Sequence, residues 1–253
     1  MDDFELLKKI IKRELNIDVD SYRESYLKRR VDSRLRANRV ESYSDYIRIL
    51  GSCAEERKKL ESALTIHVTE FFRDHEVWEE IEKIAEELIE RRAIVRALSA
   101  GCATGEEAYS IAIVFKEATE NLRKNCYLKV YGLDIDNDAL AIAKKGVYKK
   151  IDGHKRWFIR DGEEYRVSDE IKNIVRFERG DITRPLKHNL MDFVLCRNVL
   201  IYMDAVTHET VIKSLYNSLS EGGYLVLGMT ESLPVSTRTF LRPYNQRLKI
   251  YQV

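Results

Sequence analysis

The stretch of this 253-residue chain most able to do chemistry is Ser99-Ala100-Gly101-Cys102-Ala103-Thr104-Gly105-Glu106-Glu107. It follows an apolar segment, Ala93 to Ser99, that reads as a buried strand, and it opens an amphipathic helical pattern over Glu106 to Glu117. Where a strand end meets a helix start, a glycine turn lets a ligand approach the backbone, which makes Gly101 a candidate contact. The glycines alone do not choose the ligand. Charge does: a phosphate at a helix start needs amide protons and positive potential, whereas Glu106 and Glu107 place two carboxylates there. Carboxylates suit a ligand carrying an ammonium group.

The next apolar strand, Tyr127 to Leu133, runs into Asp134-Ile135-Asp136. An acid at that position commonly accepts the hydroxyls of a ribose. Asp134 has a second reading as a turn or helix-capping residue, although Asp136 is better placed to cap the helical pattern Asp138 to Lys145. Ribose, an ammonium and no phosphate together describe S-adenosylmethionine. Gly180-Asp181-Ile182 and Cys196-Arg197-Asn198 follow two further strands, so their backbones can line the same crevice.

The elements that must hold these residues are legible from periodicity. From Phe4 to about Leu64 apolar residues recur at helical spacing (Leu7, Ile10, Ile11, Leu15; Tyr26, Val31, Leu35; Tyr46, Ile47, Leu50), which predicts an all-helical N-terminal domain over residues 1–74. A linker helix is expected within 75–92, where Val77, Ile81, Ile84, Ala85 and Leu88 form an apolar stripe. Residues 93–253 then alternate strand and helix, with further strands at Val175 to Glu178, Asp192 to Leu195 and Tyr224 to Leu227 and a helix over Val206 to Leu219. Such alternation indicates an α/β, Rossmann-like domain with a largely parallel sheet. A small antiparallel β-insertion at about 152–172 is expected around the Asp161-Gly162 turn, and a terminal hairpin from Thr239 to Leu241 and Arg247 to Gln252.

Composition narrows the function classes. Acids and bases cancel to a formal +1, so no global field draws the chain to nucleic acid or membrane. No apolar run reaches the roughly 20 residues that span a bilayer, and Met1 to Arg13 is charged and amphipathic rather than a signal peptide, so a soluble, cytoplasmic protein is expected. Four scattered cysteines, Cys53, Cys102, Cys126 and Cys196, form no C-x-x-C pair and argue against disulfides or zinc.

Four blocks resemble the chemotaxis-receptor glutamate methyltransferases, the CheR family: Leu64 to Asp74, Ser99 to Ser110, Cys196 to Tyr202 and Leu227 to Ser232. The resemblance runs over nearly the whole chain. It implies an all-α N-terminal domain, a class I methyltransferase domain with a small β-subdomain, and transfer of a methyl group from S-adenosylmethionine to receptor glutamates, leaving S-adenosylhomocysteine. By resemblance His67, Thr69, Arg73, Glu107, Asp134, Asp181, Ile182, Cys196 and Arg197 fall on cofactor-contacting positions, and Arg73 and Tyr202 face the methyl-transfer centre. His67 stands where the family usually has Asn, and Ala108 where Pro usually follows the paired glutamates. Phe71 and Phe72 read as anchors in a core, and Tyr202 is open between packing and chemistry.

A glutamate carboxylate is already ionised near neutral pH, so methylating it needs no general base; alignment and exclusion of water carry the rate. Lys28, Arg29, Arg30, Arg34, Arg36 and Arg39 form a basic stripe, read either as a solvated face or, through Arg30 and Arg34, as a dock for the acidic cytoplasmic helices of a receptor. A monomer is expected. Two other functions share parts of this pattern: a methyltransferase with an RNA or small-molecule acceptor, disfavoured by the near-neutral charge, and a non-catalytic cofactor-binding scaffold, disfavoured by Arg73 and Tyr202.

Overall fold

A computed structural model describes residues 2–15, 17–64 and 69–253, and the chain divides into two compact units, Met1–Ile66 with Tyr202–His208, and His67–Ile201 with Glu209–Val253. The first unit is helical: α1 (Asp3–Leu15), α2 (Glu24–Ala37), α3 (Tyr43–Ser52) and α4 (Ala54–Leu64). Their apolar stripes meet in a core that includes Phe4, Leu7, Ile11, Leu27, Val31, Tyr46, Leu50 and Leu60. Ser42 caps α3 by accepting the Asp45 N–H, the expected device for a helix start.

In the second unit α5 (His75–Arg91) precedes a seven-stranded sheet of order β6-β2-β1-β7-β8-β10-β9. Its parallel members are β1 (Ile94–Ala100), β2 (Tyr127–Asp134), β6 (Val175–Arg179), β7 (Met191–Cys196) and β8 (Leu219–Leu227). The crossovers carry α6 (Glu106–Asn121), α7 (Asn137–Lys145) and α9 (Ala205–Ser218). Strands are added first on one side of β1 (β2, β6) and then on the other (β7, β8), so the strand order switches between β1 and β7, which run parallel side by side, and the carboxyl ends of β1, β2 and β7 open one crevice. A separate three-stranded antiparallel sheet, β3-β5-β4, is made by β3 (Val147–Tyr148), β5 (Glu164–Val167) and β4 (Phe158–Asp161), and α8 (Asp169–Lys172) follows it.

Three boundaries differ from the periodicity reading. The stripe on α5 does not make a linker: Val77, Trp78, Ile81, Ile84, Ala85, Leu88 and Ile89 enter the core of the second unit. The small sheet begins earlier than the Asp161-Gly162 turn suggests, because β3 is only two residues long and carries no alternation to read. The terminal hairpin is shifted, with β9 at Arg242–Asn245 and β10 at Ile250–Gln252. Pro243 sits inside β9, where an edge strand tolerates its missing N–H. Among the described residues no helix is long and apolar enough to cross a membrane.

Candidate active site

The loop after β1 is tied to the end of β2. The N–H groups of Gly101 and Cys102 both donate to the Leu133 carbonyl, at 2.8 and 3.0 Å. Asp134, 9% exposed, accepts the Ala103 N–H at 2.7 Å on one oxygen and the Asp136 N–H at 3.0 Å on the other. It therefore braces the two strand ends, and the capping of α7 falls to Asp136, which accepts from Asp138 and Ala139. Gly101 sits at φ +84°, and its missing side chain would lie 2.6 Å from Cγ2 of Val199, so the left-handed backbone and the turn after β7 both favour glycine there.

The segment before α5 is strained and pinned. Phe72 (φ +51°) and Asp74 (φ +60°) both take left-handed backbone, a state that costs roughly 1–3 kcal/mol each and survives only where the surroundings over-determine it. They do so here. The Phe72 N–H donates to Ser110 Oγ at 3.1 Å, and the Arg73 carbonyl accepts from Trp78 Nε1 and from Arg197 Nη1, each at 3.0 Å. The Phe72 ring lies between His154, stacked at 4.2 Å, and Trp78, edge-on at 5.4 Å. The backbone at Arg73 is thereby held on both sides.

Arg197 is the hub of the charged groups. With its side chain 1% exposed, it donates to the Asp74 carboxylate at 2.5 Å and lies 3.8 Å from Glu107. Burial pushes the Glu107 carboxyl above its ordinary range; Arg197, a 2.8 Å hydrogen bond from Ser99 Oγ, and Arg73 pull it back, while Glu231 adds to the rise. Glu106 is raised as well, by burial, and accepts from Thr104 Oγ1 at 2.6 Å. Arg73, Glu107 and Arg197 thus share one electrostatic neighbourhood at the carboxyl ends of β1 and β7.

The other expected residues divide. Asp181 folds its own turn, accepting from the Thr183 N–H at 2.9 Å and the Thr183 hydroxyl at 2.7 Å, and Ile182 beside it is buried. The Cys196 side chain is wholly buried with its thiol pushed well up, which leaves only its backbone to face a ligand. Thr69 is half-buried, and His67 lies outside the described residues. Tyr202 groups with the helical unit: its ring centroid is 4.8 Å from that of Tyr26, and its carbonyl accepts the Arg23 N–H at 2.9 Å. Arg34 is engaged within the helical unit. It makes a two-pronged ion pair with Glu56, at 2.9 and 2.7 Å, and Tyr46 donates to the same carboxylate at 2.7 Å. Arg30 lies over the Tyr26 ring at 5.4 Å. Sequence reasoning gave no role to Asp74 or to Glu231, although both lie inside the four blocks; a buried acid in an apolar strand-to-turn segment is the signal that Glu231 offered.

Two family models cover most of the chain: "CheR methyltransferase, SAM binding domain" over residues 67–248 and "CheR methyltransferase, all-alpha domain" over residues 2–65. The chain belongs to the CheR methyltransferase family. It is 28% identical to a chemotaxis protein methyltransferase of Listeria innocua, covering 91% of this chain and 90% of that one. It is 30% identical to chemotaxis protein methyltransferase 2 of Vibrio cholerae, over 76% and 70% of the two chains. An uncharacterized 104.1 kDa protein of Rhodobacter capsulatus is 30% identical over 84% of this chain, which spans only 23% of that larger protein.

The cofactor of this CheR-family methyltransferase is S-adenosylmethionine, and the donor set at the crevice fits it. Two raised carboxyls, Glu106 and Glu107, stand at the first turn of α6, with Asp134 at the end of β2. That set would repel a pyrophosphate and accept an ammonium group and hydroxyls.

Proposed function

We propose that the protein transfers a methyl group from S-adenosylmethionine to glutamate carboxylates on the cytoplasmic helices of methyl-accepting chemotaxis receptors, and that it acts in the cytoplasm. The family match carries this reading, together with relatives named chemotaxis protein methyltransferases over most of their length. S-adenosylmethionine supplies an electrophilic methyl on a sulfonium, and the reaction leaves a glutamate methyl ester and S-adenosylhomocysteine.

Within this reading Glu107 receives the ammonium end of the cofactor, Asp134 its ribose, and the chain at Thr69, Asp181, Ile182, Cys196 and Arg197 the remainder. Burial raises the Glu107 carboxyl, and the Arg197 guanidinium is the first influence that opposes that rise. Arg73 steers the incoming carboxylate, because its backbone is fixed on both sides and its charge is one of those felt at Glu107. Tyr202 orients that carboxylate by a hydrogen bond. No residue need take a proton, because the acceptor is ionised already. Receptor docking falls to Arg29, Arg30 and Arg36 on α2, with Arg34 excluded by its bond to Glu56. The expected monomer belongs to the same proposal.

The test is incubation of the protein with radiolabelled S-adenosylmethionine and receptor-containing membranes. Label that enters the receptor and is released by mild alkali, as an ester is, supports the reading. Label that resists alkali, or enters RNA instead, contradicts it.

A further inference from the structure

The block Leu227 to Ser232 carries family likeness but no role in the chemistry above, and it contains a buried acid held by backbone N–H groups. Glu231 is 3% exposed. One of its oxygens accepts the N–H of Gly228 at 2.6 Å and that of Asn198 at 3.0 Å; the other accepts the N–H of Leu200 at 2.7 Å. The Ile201 N–H also favours its ionised form, against burial, which pushes the carboxyl up. No ion pair to Glu231 occurs among the described residues, so backbone dipoles do the work of a cation, as in an anion-binding nest.

The consequence lies in which amides are gathered. Gly228 follows β8, whereas Asn198, Leu200 and Ile201 make the turn that leaves β7, starts at Arg197 and runs into Tyr202. That turn needs an outside hold, because Asn198 sits at φ +59° and its amides belong to neither strand nor α-helix. Packing around the carboxylate is close: a methyl group on Gly228 would lie 2.7 Å from Oε2 of Glu231 and 2.8 Å from the Asn198 nitrogen.

We infer that Glu231 is a positioning residue for methyl transfer, a carboxylate clasp that fixes the course of the chain from Arg197 to Tyr202. The inference rests on the function proposed above for its kinetic consequence alone, since the clasp itself can be read without catalysis. Neither oxygen can be replaced by an amide without setting an N–H against an N–H. Glu231→Gln therefore opens the turn whichever way the amide points, while keeping side-chain volume.

The experiment pairs hydrogen–deuterium exchange over residues 196–203 with receptor methylation and S-adenosylhomocysteine calorimetry, on wild type, Glu231→Gln and Gly228→Ala. Gly228→Ala loosens the same clasp by crowding, without touching a charge, and stands in if the first variant folds poorly. The expected result is faster exchange in that segment, kcat lower by at least about tenfold, and a dissociation constant for S-adenosylhomocysteine changed less than about threefold, because Arg197 is separately anchored to Arg73 and Asp74. Unchanged exchange in both variants overturns the clasp. Faster exchange with wild-type kcat overturns its role in positioning. If the wild type itself methylates no receptor, the function proposed above fails, and the exchange result still decides the clasp.

Discussion

Replacing Arg197 by methionine removes a guanidinium that links Arg73, Asp74 and Glu107. Its side chain is 1% exposed, so the change deletes a charge that water does not reach. Removing one partner of a fully buried pair costs roughly 3–5 kcal/mol. Two facts lower that figure. The Asp74 side chain is 35% exposed and can be hydrated when its partner goes, and the Arg73 carbonyl keeps the Trp78 N–H at 3.0 Å. A loss of about 2–3 kcal/mol remains, which for a unit of this size lowers Tm by roughly 5–10 °C. Arg197→Lys keeps the charge but reaches only one acceptor, so its Tm falls between those of the methionine variant and wild type. Differential scanning calorimetry on the three proteins reads this directly. A Tm for Arg197→Met within about 1 °C of wild type would refute the hub, and a lysine variant as damaged as the methionine variant would show that geometry rather than charge dominates.

Four further outcomes are expected. Arg73→Ala loses most of the methyl transfer while Tm and helical circular dichroism stay near wild type; turnover near the wild-type rate at saturating receptor would remove it from the mechanism. Reversing charge at Arg29 and Arg30 raises KM for the receptor with no change in S-adenosylhomocysteine affinity, whereas Arg34→Met destabilises the helical unit by about 2–4 kcal/mol, because it strands Glu56, whose side chain is 5% exposed. Chemical denaturation separates the two effects. Burial pushes the Glu56 carboxyl up, yet the bonds from Arg34 and Tyr46 outweigh it and hold it below the ordinary value of 4.5. That group therefore adds stability which is fully present above pH 4.5 and fades as pH falls through the depressed value, so Glu56→Gln flattens the acid limb of a stability–pH curve; an unaltered limb would contradict the assignment.

Periodicity and charge made most of the main sheet readable, since β7 is buried throughout and β1 and β2 are buried over their carboxyl-terminal ends. The loop from Ser99 to Glu107 was readable for the same reason: its charges are local, and they fall at a strand-to-helix junction. What stayed hidden depends on residues far apart in the chain. Nothing near Arg34 announces Glu56, 22 positions on, so a buried ion pair looked like part of a surface stripe. Asp134 looked like a ligand residue or a cap, and its bond to Ala103, 31 positions away, becomes visible only when β1 and β2 lie side by side. The approach of Val199 to Gly101, 98 positions away, is hidden for the same reason.

In the function proposed above, Glu107 meets the ammonium end of the cofactor at the mouth of the parallel sheet. Titration calorimetry of S-adenosylhomocysteine against wild type and Glu107→Gln tests it most directly. Loss of one charge-assisted contact in a buried setting predicts affinity weaker by at least about tenfold in the variant. Equal affinity in the two proteins, or no binding heat with wild type, would contradict it.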